Sequence, residues 1–332
     1  MSSDTRRRPG TALSKGLVRF LRERAGMTQE QLAERLGLAG KAIISGWETG
    51  RTTCEGPAAE LLLHLLGGEG ASHAFAELDE LTDATWRRSG NWIDSWRQVS
   101  AVPEATIAID RDKFATLFPA AAIPHEGHVH GFPFVNYGPP DRVFGISSTG
   151  WSGAIPIERD RSPHYIWHLT RTAQFAYRET LWELSRDSIT SGHTHVGSLL
   201  ELALCTTVFL GRLLERAELP QDLQYELRLD LEGMRGRGVV AASGHWNHCD
   251  APPTVSSENH VHAAVKLPLG KIAAEPLPSA YGLVGELMLL LRPDLATTSA
   301  LERQLRARLK SDSEHGQRTR FLAFADVLIR VP

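Results

Sequence analysis

The 332-residue sequence predicts an α+β protein, an all-helical N-terminal module followed by a larger body of mixed helices and strands. Three observations carry that prediction. The first seventy or so residues hold short amphipathic helices with recognisable caps. Residues 223–231 alternate strictly between apolar and polar side chains, the period of a half-buried strand. Residues 198–217 are apolar almost all round, as a helix inside a core is. A hydrophobic share of 42% and a charged share of 23% suit two or three globular cores at a prior of about 150 residues per domain. Cys54, Cys205 and Cys249 form no CxxC pair, which speaks against a disulfide framework and a cysteine-based zinc module. No apolar run of membrane-spanning length is evident and the N-terminus lacks the apolar core of a secretory signal, so a cytoplasmic protein with no membrane partner is expected.

Charge is unevenly placed. Residues 1–53 hold ten bases and five acids, a net of +5, which leaves −8 on the remaining 279 residues. Phosphate neutralisation is local, so a small basic module on an acidic body suits nucleic acid despite the overall net of −3. At the chain start, Arg6, Arg7 and Arg8 lie in a stretch poor in apolar residues. Residues 1–13 are therefore expected to be a disordered basic arm, able to cross a phosphate backbone or enter a minor groove.

The module itself spans 14–67. Leu17, Phe20 and Leu21 give the i, i+3, i+4 stripe of a first helix, ended by Gly26. Thr28 followed three residues later by Gln31 is a capping box, and Leu32, Ala33 and Leu36 form the buried face of a second helix closed by Gly37. A third helix over about 40–47 turns Ile43, Ile44 and Trp47 inward, and GPAAELLLHLL adds a fourth. Two short helices joined by a tight glycine turn follow the helix-turn-helix pattern.

The string LRERAGMTQEQLAERLG, followed by a short helix ending in WETGR, resembles the Cro/C1-type (XRE) helix-turn-helix regulators of bacteria, and its continuation resembles MqsA-like antitoxin regulators. The resemblance implies that the third helix enters the major groove of double-stranded DNA. It places Thr28 and Gln29 near phosphate, Lys41, Ala42 and Ser45 near base-reading positions, and Arg51 at a further phosphate. The sequence departs from the pattern by one extra residue between Gly37 and Trp47, with Gly40 and Gly46 flanking or interrupting the reading helix.

Residues 68–103 read as a helical connector, with Trp86, Trp92 and Trp96 as a satellite core or dimer contact. An α+β sensor and oligomerisation domain is expected over 104–332. It should hold short strands to about residue 151, helices over 165–186 and 198–217, a strand over 223–231, a partner strand at HVHAAVKLPL, and helices over 280–292 and 299–310. Gly233, Gly236 and Gly238 read as a turn. Residues 130–240 also resemble the C-terminal half of bacterial Schlafen-like (AlbA-type) proteins. That family's acidic motif is not visible here, so no catalytic residue is carried over.

Eleven of the fourteen histidines fall in 125–262, and three groups contain an HxH step: His128/His130, His193/His195 and His260/His262. On a strand, HxH puts both imidazoles on one face, while His164 and His168 would share a helical face. With no matched cysteine or carboxylate motif, the pairs are expected to sit on separate strands and turns, to hold no metal and to carry less than one equivalent of zinc. Phosphate-loop and nucleophile-elbow motifs are absent, so no catalytic residue and no cofactor is assigned. The reading is a homodimeric, DNA-binding transcription regulator whose body senses a ligand or protein partner. The alternative is an effector or scaffold of a defence or toxin-antitoxin-like system, in which the helix-turn-helix only targets an enzymatic or protein-binding body.

Overall fold

The computed structural model describes residues 12–13, 15–24, 26–55, 57–66, 71–88, 95–105, 123–125, 128–133, 144–146, 150–154, 165–181, 193–241 and 255–314, with single positions and short pieces between 107 and 121. The N-terminal module consists of β1 (Ala12–Leu13), α1 (Lys15–Arg24), α2 (Gln29–Arg35), α3 (Lys41–Thr49), β2 (Cys54–Glu55) and α4 (Pro57–Leu66). Its core gathers Leu13, Val18, Leu32, Ala33, Leu36, Ile44, Trp47, Cys54, Ala59 and Leu62. The arm expected over 1–13 ends in a strand, because Ala12 and Leu13 pair antiparallel with Glu55 and Cys54. Burial pushes the Cys54 thiol up to about 11, so it acts as a small apolar side chain.

The body is built on a seven-stranded sheet, ordered β13-β11-β3-β9-β8-β7-β6, with every neighbouring pair antiparallel. These strands are β3 (Trp96–Pro103), β6 (Phe144–Ile146), β7 (Gly150–Ala154), β8 (Tyr165–Thr170), β9 (Phe175–Thr180), β11 (Gln224–Glu232) and β13 (His260–Pro268). Outside it, β4 (Ile123–His125) pairs with β5 (His128–Phe132), and β10 (His193–His195) runs parallel to β12 (Gly238–Val240). The alternation read over 223–231 is β11, with Leu227, Leu229 and Leu231 fully buried. HVHAAVKLPL pairs with it as β13.

Helices cover both faces. On one side lie α6 (Val196–Arg216), α7 (Leu269–Ala274), α8 (Pro276–Leu291) and α9 (Thr298–Glu314). Val196–Leu213 is long and apolar enough to cross a membrane by composition alone, contrary to the sequence expectation. However, 94% of it is buried against the protein's own elements, and it serves here as a core helix. Gly233 and Gly236 adopt left-handed conformations in the turn after β11, as expected. A Cβ at Gly233 would collide with the Ser95 side chain.

Two expectations fail here. Residues 165–186 do not form a helix: 165–180 is the β8–β9 hairpin, whose turn has Ala173 at φ 59°. Its aromatic and β-branched residues fit a sheet covered on both faces, and such strands show no period-two alternation. Nor are residues 68–103 a mere connector. β3 is an interior strand of the sheet, and α5 (Ala71–Arg88) lies across β3, β8 and β9 through Ala74, Phe75 and Leu78 packed on Val102 and Ala176. A boundary at residue 104 would divide the sheet, so the body starts no later than α5.

Between α5 and the sheet runs a polar seam. Arg178, only 2% exposed, donates from Nε to Gln98 Oε1 at 2.8 Å and from Nη1 to Asp83 Oδ1 at 2.6 Å, and its guanidinium lies 3.7 Å from the Trp96 ring centroid. Gln98 in turn donates to Asp79 Oδ1 at 2.9 Å, and Arg228 donates to both Asp79 and Asp230. Trp86 and Trp96 are thus seam residues, while Trp92 lies outside the described residues. Burial pulls the Arg178 pKa down and the Asp83 carboxylate pulls it back, but an arginine stays charged and must be met by partners. Arg178→Ala leaves Gln98 buried without its donor, and we expect a loss of about 3–5 kcal/mol in denaturant unfolding. A loss below about 1 kcal/mol would show that the seam is not holding α5 to the sheet.

Candidate nucleic-acid interface

The geometry of the N-terminal module follows from its caps. Gln31 N donates to Thr28 Oγ1 at 3.2 Å and Thr28 N donates to Gln31 Oε1 at 2.8 Å, the reciprocal capping box that the sequence pattern predicts. Gly37 at φ 66° makes the turn, and Gly40 stands at the N-cap of α3, so it flanks the helix without interrupting it. Gly46 lies inside α3 for a packing reason. A Cβ there would sit 2.7 Å from Thr52 Oγ1, and the Gly46 carbonyl accepts from the N–H groups of Arg51 and Thr52. Left-handed Gly50 then ends the helix.

A buried carboxylate fixes α3 against its neighbours. Glu48, 4% exposed, accepts from Arg22 Nε at 2.5 Å and from Gln29 Nε2 at 2.8 Å, with Arg19 Nε at 3.8 Å. Arg22 also donates to the Met27 carbonyl at 2.9 Å. One side chain near the end of α3 thereby ties down α1, the α1–α2 turn and the first residue of α2. Burial alone would raise the Glu48 pKa, but the hydrogen bonds from Arg22 and Gln29 and the charges of Arg22 and Arg19 outweigh it and hold the carboxyl below the usual range.

With Ile44, Trp47 and Glu48 turned inward, α3 presents Lys41, Ala42 and Thr49 exposed and Ser45 half-exposed on its outer side. Thr49 Oγ1 donates to the Ser45 carbonyl at 2.7 Å and accepts from Arg51 Nε at 3.1 Å, which brings the Arg51 side chain back beside the helix. Lys41 reaches Glu30 at 2.7 Å, and that pair is exposed. Thr28 and Gln29 stand at the start of α2 with their side chains engaged in the capping box and the Glu48 cluster. Arg6, Arg7 and Arg8, and the side chains of Leu17, Phe20 and Leu21, lie outside the described residues. Sequence reasoning passed over Thr49 and Glu48. Thr49 repeats the 41, 45 spacing one turn on. Glu48 completes an i, i+3, i+4 stripe with Ile44 and Trp47, and an acid within an inward stripe signals a buried partner.

The three HxH steps lie on three different strands, β5, β10 and β13, as expected. The helical pairing of His164 with His168 does not form, because His168 belongs to β8 and is buried, while His164 lies outside the described residues. His245, His248 and Cys249 are also outside them. At β13, however, the strand register brings carboxylates that no sequence motif records: Asp230 of β11 sits directly opposite His262, and Glu232 opposite His260.

A family described as a helix-turn-helix domain matches residues 16–76, so the N-terminal region is a helix-turn-helix domain, a DNA-binding class of module. No curated protein and no solved structure matches the chain. The match does not extend to the MqsA-like or Schlafen-like resemblances, and part of the run that carried the latter is the β8–β9 hairpin.

Because the folded-state pKa of Glu48 is depressed, its stabilisation is complete above the ordinary glutamate pKa and is lost as pH falls through the folded value. Glu48→Gln should therefore cost about 2–3 kcal/mol at neutral pH, and the gap to wild type should narrow on acidification. Thermal melts across that range check this; a gap that widens in acid would contradict the assignment.

Proposed function

We propose that the protein is a sequence-reading transcription regulator. Its helix-turn-helix domain binds double-stranded DNA through the outer face of α3, and its α+β body senses a ligand or protein partner and holds two copies together in the cytoplasm. The observation that carries this reading is the division of α3: Ile44, Trp47 and Glu48 locked inside, and Lys41, Ala42, Ser45 and Thr49 outward. Small outer side chains let the helix lie deep in a major groove. There an alanine methyl can meet a thymine methyl, and serine and threonine hydroxyls can bond to several bases. Lys41, Arg51 and the arm arginines supply phosphate contacts, in keeping with the +5 charge of residues 1–53.

So small a reading face offers few base contacts per copy, which favours a two-fold dimer on half-sites one helical turn apart. A signal bound by the body regulates such a dimer only through its differential affinity for the binding-competent arrangement.

The test is selection of duplexes by the full chain from a random library, followed by anisotropy titrations across salt concentrations. We expect an enriched two-fold site. Arg51→Ala should weaken binding to all duplexes and shallow the log–log salt slope by about one unit, whereas Ser45→Ala should change the preferred base at one position of each half-site. Sedimentation should report a dimer. Equal affinity for selected and random duplex would remove specific regulation and favour the alternative, a helix-turn-helix that only targets an effector body.

A further inference from the structure

On the side of the sheet that carries α5, β11 and β13 bring four polar side chains together. Their register sets Asp230 opposite His262 and Glu232 opposite His260. The two histidines are two residues apart on one strand and so share a face, with ring centroids 5.5 Å apart. One potential ligand atom from each of Asp230, His260 and His262 lies within 4.8 Å of the others. His260 Nε2 is 3.1 Å from Asp230 Oδ1, and Glu232 Oε2 is 3.9 Å from His260 Nδ1.

We propose that Asp230, His260 and His262 form a binding site for one divalent transition-metal ion of the zinc class, with Glu232 beside the other ring nitrogen of His260 as an outer partner. Two imidazoles and a carboxylate are a donor set suited to zinc. Ligands at about 2.1 Å in a tetrahedron stand about 3.4 Å from one another; His260 and Asp230 are already that close, and the wider separations need to shrink by at most about 1.4 Å, which exposed imidazoles can do by χ rotations.

The surroundings support this in two ways. Asp230 is 2% exposed, and its Oδ2 accepts from Arg228 Nε at 2.7 Å, which fixes the carboxylate and leaves Oδ1 turned to the histidines. A ligand held by an outer partner in this manner is a recurrent feature of metal sites. Charge balance points the same way. Asp79, Asp83 and Asp230 face Arg178 and Arg228, and Glu232 lies beside His260, so four carboxylates against two guanidiniums leave two negative charges for a divalent cation to balance. Arg228 is no obstacle, because Asp79 and Asp230 already share its charge.

This site does not rest on the DNA-binding reading. The test uses the full chain produced without an affinity tag, stripped with a chelator, then titrated with Zn²⁺ by calorimetry and with Co²⁺ by visible absorption. We expect one equivalent of Zn²⁺ per chain and ligand-field bands from bound Co²⁺. His262→Ala, a change at an exposed position, should weaken binding at least about tenfold with unchanged melting of the metal-free protein. Asp230→Asn should do the same to binding, and His128→Ala/His130→Ala should leave the equivalent intact. Wild-type affinity weaker than about 100 μM, or a full equivalent that survives His260→Ala/His262→Ala, would overturn the proposal.

Discussion

Arg178 and Glu48 are charged side chains carried into the two cores of this protein, and a charge in a core must be met there by partners or it destabilises the fold. That constraint organises both halves. In the body, Arg178 draws Asp83 from α5 and Gln98 from β3, and it stacks on Trp96. In the N-terminal domain, Glu48 draws Arg22 and Gln29 and so sets how α3 lies against α1 and α2. The apolar contacts around each cluster supply most of the burial, but they are non-directional. Hydrogen-bonded charges specify one arrangement among the several that packing alone would allow.

The helix-turn-helix was legible because its signals are local. A capping box, glycines at two turns and a short stripe of apolar residues each act within a few positions of the chain, and Thr28, Gln31, Leu32 and Trp47 occupy the places they predict. The body was legible only where one face of an element is wet. β11 alternates because Gln224, Glu226 and Arg228 sit toward the thinly covered side while its leucines face the helices. β3, β8 and β9 are covered on both sides, and polar residues such as Gln98, Ser100 and Arg178 are buried in the seam. Their pattern follows partners up to 95 residues distant in sequence, as between Arg178 and Asp83, and no local period records those.

The candidate sites divide in the same way. Lys41, Ala42 and Ser45 could be placed by position within a known motif, whereas the convergence of Asp230 with His260 and His262 depends on the register between two strands separated by the whole β11–β13 connection. The seam also reaches the candidate metal site. Arg228 links Asp79 of α5, the helix that follows the N-terminal domain, to Asp230 beneath the histidine pair. α5 is thus bonded directly to the strand that carries the candidate ligand.

Hydrogen exchange of the full chain, free and saturated with a selected duplex, tests most directly whether α3 and the start of α2 meet the DNA. Slowed exchange is expected to concentrate in peptides covering 28–31 and 41–51, where the start of α2 and the outer face of α3 approach the DNA. Bound complexes whose only slowed peptides lie in the sheet or in α6 to α9, with those two segments unchanged, would contradict it.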